Sequence, residues 1–178
     1  MNSGTRSLSS DAQMTLPEDK LRTIDELVEE CTCWRDEGLE VVLVNGAFDL
    51  PHVGHLRYLA AARALGDRLV VAVNSDLSVR SSKGARRPII PEAERVEILS
   101  HLWMVDRICL FDSPTVAPIL EELRPDVHAK GTDYTVENVP ERDVVEAYGG
   151  RTAICGDPKD HATTDLIGII LDRFGGTE

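Results

Sequence analysis

Five short apolar runs, spaced by stretches of helical period, constrain this chain more than any other feature. Val41-Val42-Leu43-Val44 and Leu69-Val70-Val71-Ala72-Val73 are apolar without alternation, the pattern of strands buried on both faces. Residues 107–111, 127–129 and 152–155 supply three more strands. Residues 53–65, 92–101, 115–123, 141–148 and 163–174 read as helices. Strands alternating with helices of about ten residues predict an α/β fold. The expected form is a Rossmann-like, doubly wound, five-stranded parallel sheet with helices on both faces. Ligands of such sheets sit beyond the carboxyl ends of the strands, so the chemistry is to be sought just after each apolar run.

Before the first strand, residues 17–37 predict a helix. Pro17 suits its first turn, and Leu21, Ile24, Leu27, Val28, Cys31 and Trp34 form one apolar stripe. Residues 1–16, rich in serine, read as a leader outside a single domain over 17–178. Residues 76–90 are polar and basic, with Gly84 and Pro88, and read as a loop. Trp34 and Trp103 are expected in the core.

Thirty-one acidic against nineteen basic residues give a net charge of −12, which argues against a nucleic-acid partner, since such a binder needs a basic face. No apolar run approaches the roughly 18–20 residues that span a bilayer, and the first residues lack the apolar segment of a secretory signal. Cys31, Cys33, Cys109 and Cys155 lack the spacing of redox or zinc motifs, and read as reduced thiols of a cytoplasmic protein.

The run after the first strand is Asn45-Gly46-Ala47-Phe48-Asp49-Leu50-Pro51-His52-Val53-Gly54-His55. Two imidazoles three positions apart at a helix start share one face. The helix N-terminus offers unpaired N–H groups and a positive dipole end to an anion. Gly54 lets a phosphate approach the backbone between the rings. Half a metal site is the other reading, but a third protein ligand is not evident. Asn74 and Asp76 follow the second strand, where a ribose or base would be held, or where Asp76 would cap the next helix. Arg80, Lys83, Arg86 and Arg87 crowd into eight positions of an acidic chain. Lys130, Gly131, Asp133 and Tyr134 follow the fourth strand. Thr163 and Thr164 open the last helix, where hydroxyls and free N–H groups form an anion site. His101, His128 and His161 have no partner that can be named from sequence.

These motifs, over about residues 20–174, resemble the HxGH nucleotidyltransferase superfamily and its cytidylyltransferase-like group. They are most similar to the adenylyltransferase domains of bacterial ADP-heptose synthases. The matching residues are Asn45 to Asp49, His52-x-Gly-His55, Asn74-Ser75-Asp76, Lys83-Gly84 with Arg87-Pro88, Lys130-Gly131-x-Asp133-Tyr134 and Thr163-Thr164. Thr132, Ala162 and Asp165 stand where glycine, serine and asparagine are usual. The resemblance implies transfer of a nucleotidyl group from an NTP, ATP by preference, to a sugar phosphate such as heptose 1-phosphate, with release of pyrophosphate. It implies catalytic roles for His52, His55 and Lys83. Asn45, Gly46, Ala47, Phe48, Gly54, Asn74, Asp76, Lys130, Gly131, Asp133, Thr163 and Thr164 would bind the nucleotide. Asp49, Arg87 and Tyr134 would meet the acceptor, and an arginine in the helix of Glu94-Arg95 would approach the site. Mg²⁺ would arrive on the NTP phosphates rather than in a protein cage. The alternatives are a CTP-dependent cytidylyltransferase of glycerol 3-phosphate or another alcohol phosphate, and a nucleotide-binding module without turnover. A homodimer and a separate sugar kinase are the protein partners left open.

Overall fold

The computed structural model describes residues 20–158 and 162–176. Helix α1 (Ile24–Asp36) leads into β1 (Val41–Gly46), α2 (Val53–Arg63), β2 (Arg68–Asn74), α3 (Asp76–Lys83) and α4 (Glu92–Ser100). Then follow β3 (Arg107–Phe111), α5 (Ala117–Leu123), β4 (Val127–Lys130), α6 (Arg142–Ala147), β5 (Arg151–Ile154) and α7 (Thr163–Phe174). The five strands form one sheet in the order β3-β2-β1-β4-β5, and every pair is parallel. The chain thus winds outward from β1 in one direction and returns to continue from β1 in the other. The switch point lies between β1 and β4, where a cleft opens at the strands' carboxyl ends.

Burial on both sides explains the unbroken apolar runs. Val42 and Val44 pack with Leu59 of α2 and Val96 and Leu99 of α4. Val41 and Leu43, on the opposite face, pack with Leu27 and Cys31 of α1, Leu120 and Leu123 of α5 and Val145 of α6. Both layers are dry, since these side chains are at most 8% exposed.

Three expectations are corrected. Helix α1 begins at Ile24, because Thr23 accepts the Glu26 N–H and the Glu26 carboxylate accepts the Thr23 N–H in a capping box. Ahead of it Leu21 bridges in parallel to Ile108, and the Arg22 N–H donates to the Ile108 carbonyl at 2.9 Å, so the chain runs along the sheet edge there. Residues 76–83 are helical rather than loop: the Ser75 hydroxyl accepts the Ser78 N–H, Val79 is buried, and Gly84 at φ 92° ends the helix. Trp103 is 80% exposed rather than core, whereas Trp34 is half-buried under the guanidinium groups of Arg68 and Arg107. The leader at 1–16, the helix start at 17–19 and His161 lie outside the described residues. Among the described residues no helix is long and apolar enough to cross a membrane.

Candidate active site

The carboxyl ends of β1, β2 and β4 and the start of α7 surround a cavity of about 510 Å³, within the range that holds small ligands. From β1 and its loop it is lined by Asn45, Gly46, Ala47, Phe48 and Asp49, and from α2 by His52, Gly54 and His55. Asn74, Lys83 and Arg87 line a second wall, Lys130, Gly131, Asp133 and Tyr134 a third, and Thr163 and Thr164 a fourth.

The β1–α2 loop is tightly bent. Phe48 and Leu50 both adopt left-handed backbone angles, φ 49° and 48°, a conformation that non-glycine residues keep only when neighbours enforce it. Asp49 between them is the enforcing residue. Its carboxylate accepts the N–H groups of Ile89 and Ile90 at 3.0 Å and Arg87 Nε at 2.6 Å. Burial pushes its carboxyl up, but those N–H bonds and Arg87 outweigh it and hold the group below the ordinary carboxylate range. The two residues expected on the acceptor, Asp49 and Arg87, therefore pair with each other. The Asp49 side chain is 1% exposed, which gives it a holding role.

The two histidines lock each other at the start of α2. His52 is the cap residue, and its Nδ1 accepts the Gly54 N–H at 3.2 Å. His55 Nδ1 accepts the His52 N–H at 3.3 Å. The ring centroids are 4.0 Å apart. An imidazole that accepts at Nδ1 carries its proton on Nε2, so both rings are protonated at Nε2. Burial, with help from His52 and Lys83, pushes His55 down to about 4, so at neutral pH it donates without charge. The first turn of α2 holds no acidic residue, which leaves its positive end unopposed.

On the other side of β1 a buried polar chain carries a second cation to the cavity. Lys130 Nζ donates to Asn45 Oδ1 at 3.2 Å, lies 3.9 Å from Glu141 Oε2 and sits 4.7 Å over the Tyr134 ring. His128, for which sequence suggested no partner, has its Nε2 3.1 Å from the same Asn45 oxygen. His101, by contrast, sits on its own helix, Nδ1 2.8 Å from the Glu97 carbonyl.

Asp76 is the one expected site residue outside the cavity lining. Its carboxylate accepts Arg95 Nη2 at 2.9 Å, and its N–H donates to Glu92 at 2.6 Å. Arg95 is fully buried and also donates to the carbonyls of Ile90 and Ala47. Arg95 thus ties the β1 loop, the 87–90 segment and α3 together. Asn74 reaches the cavity with its Nδ2 donating to Ser78 Oγ. The departures from the motif have local explanations. The Thr132 hydroxyl donates to the Asp157 carbonyl at 2.7 Å. Asp165 turns back to accept the Ala162 N–H at 3.1 Å, capping α7. The Thr163 hydroxyl donates to the Asp49 carbonyl at 2.8 Å.

Sequence reading missed Tyr58, whose hydroxyl donates to the Ala129 carbonyl, and the loop of Cys155, Gly156, Asp157 and Pro158 after β5. That loop follows a strand, so the carboxyl-end rule pointed to it. For Mg²⁺ the donor set does not form a cage: among the described residues no group of three His, Cys, Asp or Glu converges, and Asp49 is already engaged.

Acid should expose the two buried rings. His128 is held down to about 3 by burial and by Lys130, against 6.5 for an ordinary imidazole. Both rings have folded values below their unfolded ones. As pH falls from about 6.5, the unfolded chain takes up protons that the folded chain refuses, and stability drops until about pH 3. Above 6.5 neither ring contributes. For fully buried His128 the slope is up to about 1.4 kcal/mol per pH unit. Urea unfolding at stepped pH should show this fall, and His128→Gln should flatten it; equal slopes in both proteins would clear the ring of responsibility.

A parallel sheet with a switch-point cleft, an imidazole pair at a helix start and two lysines lining the same cavity fit a nucleotidyltransferase, the class this chain's family defines. The chain belongs to the cytidylyltransferase-like family, whose sequence model matches residues 43–169. Bifunctional protein HldE of Syntrophotalea carbinolica is 45% identical over 155 residues, 87% of this chain and 32% of that protein. HldE of Geobacter metallireducens is 44% identical over 156 residues, with 88% and 32% covered. The chain thus spans about a third of the length of these curated relatives. A lipopolysaccharide core biosynthesis protein from Thermoplasma volcanium superposes with a TM-score of 0.58 at 28% identity, covering 68% of this chain and all of that one.

Proposed function

We propose that this chain transfers an adenylyl group from ATP to a sugar phosphate such as heptose 1-phosphate and releases pyrophosphate. The observation that carries the reading is the His52–His55 pair, each ring held at Nδ1 by a backbone N–H and lining the cavity, an arrangement suited to a phosphate. A phosphate oxygen of the acceptor attacks the α-phosphorus, the bond to the bridging oxygen breaks, and pyrophosphate leaves with the electron pair. A phosphate monoester is nucleophilic at neutral pH, so no general base is needed and catalysis is positioning and charge stabilisation. His52 and His55 donate to the oxygens of the five-coordinate α-phosphorus. Lys83 and Lys130 offset phosphate charge, and Thr163, Thr164 and the first N–H groups of α7 hold the outer phosphates. The sugar acceptor is supported by the motif resemblance and by the likeness to a lipopolysaccharide core biosynthesis protein. A separate sugar kinase is one source of such an acceptor.

The family's description favours a second reading, CTP with an alcohol phosphate. Pyrophosphate release measured with each NTP, Mg²⁺ and a panel of sugar and polyol phosphates separates the two. ATP with heptose 1-phosphate is expected to give the highest kcat/KM. The highest value with CTP and glycerol 3-phosphate would establish the second reading. No pyrophosphate from any pair would leave a binding module and overturn both.

A further inference from the structure

Asn45 is the penultimate residue of the middle strand and lines the cavity, and its amide can face either way. An ammonium can only donate, so the atom 3.2 Å from Lys130 Nζ has to be the amide oxygen. The same oxygen lies 3.1 Å from His128 Nε2. His128 is fully buried on β4, does not line the cavity, and has Thr152 of β5 as its strand partner. Among the described residues, neither His128 Nδ1 nor the Thr152 hydroxyl has a hydrogen-bond partner. With its proton on Nε2, the ring donates to Asn45 and leaves only a lone pair unmatched. With the proton on Nδ1, two lone pairs would face each other at 3.1 Å and a buried N–H would be orphaned, the costlier arrangement. Burial and the nearby Lys130 charge keep the ring from holding both protons. The Asn45 oxygen then accepts two donors, which is its full capacity. The amide N–H₂ of Asn45 is left on the cavity side.

We propose that His128 is a positioning residue: its buried Nε2–H pins the Asn45 amide so that the N–H₂ group stands as a fixed pair of donors for oxygens of the bound nucleotide. This rests on the reading of the cavity as a nucleotide site. A reversed amide would set an oxygen against phosphate oxygens, so the pin favours anionic ligands over neutral ones.

The test is a double-mutant cycle read by calorimetric ATP binding, with thermal unfolding alongside. Loss of one orienting hydrogen bond should weaken ATP binding roughly tenfold in His128→Leu. His128→Gln, whose amide can still donate to Asn45, should stay within about threefold of the parent, the residual being its looser geometry. In an Asn45→Ala background, His128→Leu should change ATP binding by less than about twofold, because the group it acts through is gone. Unchanged ATP binding in His128→Leu overturns the proposal, and so does an equal loss in both backgrounds, which would mark a merely structural ring. Should His128→Leu fail to fold, ¹⁵N NMR of the parent decides: a proton on Nε2 of His128 supports the pin, and a proton on Nδ1 overturns it. ATP binding is read directly, so this outcome is separate from pyrophosphate release, on which the transfer reading stands or falls.

Discussion

His55→Ala is expected to lower kcat for pyrophosphate release by at least about 100-fold, as loss of one charge-stabilising donor commonly does. KM for the nucleotide should move far less, since the interaction strengthens as the α-phosphorus gains its fifth oxygen. The ring is suited to this: its Nδ1 is occupied by the His52 N–H, and burial keeps it neutral, with a value of about 4. On the proposed reading it would enter the reaction as a fixed donor that needs no reorientation. His52→Ala is the less clean variant, because His52 also caps α2 through Gly54, and loss of a cap costs about 1 kcal/mol of stability. Thermal unfolding of both variants separates the two losses. A rate near that of the parent in His55→Ala would remove this ring from the mechanism.

Arg95→Met is expected to cost about 3 kcal/mol of folding stability, the largest loss from a single residue outside the apolar core. Methionine keeps much of the volume, so the loss is electrostatic. The carbonyls of Ala47 and Ile90 and one oxygen of Asp76 lose their donor together. For a domain of this size the melting temperature should fall by about 6–12 °C. A fall of less than about 2 °C would show that water replaces the guanidinium without penalty. Activity should decline with stability even though Arg95 is absent from the cavity lining, because the guanidinium anchors the loop that precedes the histidines.

Which features sequence revealed follows from the kind of contact involved. A strand buried on both faces announces itself by an unbroken apolar run, which made β1 and β2 legible; β5, none of whose residues is buried, was legible by its place in the alternation with helices, and all five fell within a residue or two. The carboxyl-end rule then led to Asn45, Asn74 and Lys130 without a ligand in view. Helix α3 escaped because a polar helix with one buried face around Val79 has no apolar period to detect, although Ser75 and Ser78 held its cap. The onset of α1 was misplaced because an apolar residue on a sheet edge, Leu21, keeps step with the helix stripe behind it. Arg95 and Asp49 were harder in principle. Their partners are mostly backbone carbonyl and N–H groups, which every residue carries, so no side-chain pattern marks them. Asp76 followed the ligand rule in sequence and was drawn away by Arg95 and Arg80 in space.

Asp49 gathers three segments. Its carboxylate holds Arg87, Ile89 and Ile90, which lie 38 to 41 residues along the chain, and its carbonyl holds Thr163, 114 residues away. The first closure bridges β2 and its flanking helices. The second must wait for almost the whole chain and carries about 1 kcal/mol more loop entropy. Contacts of such separation form late in folding. The wall built by α7 is therefore expected to be set after the sheet, so that an incompletely folded chain holds its histidines before it holds its threonines.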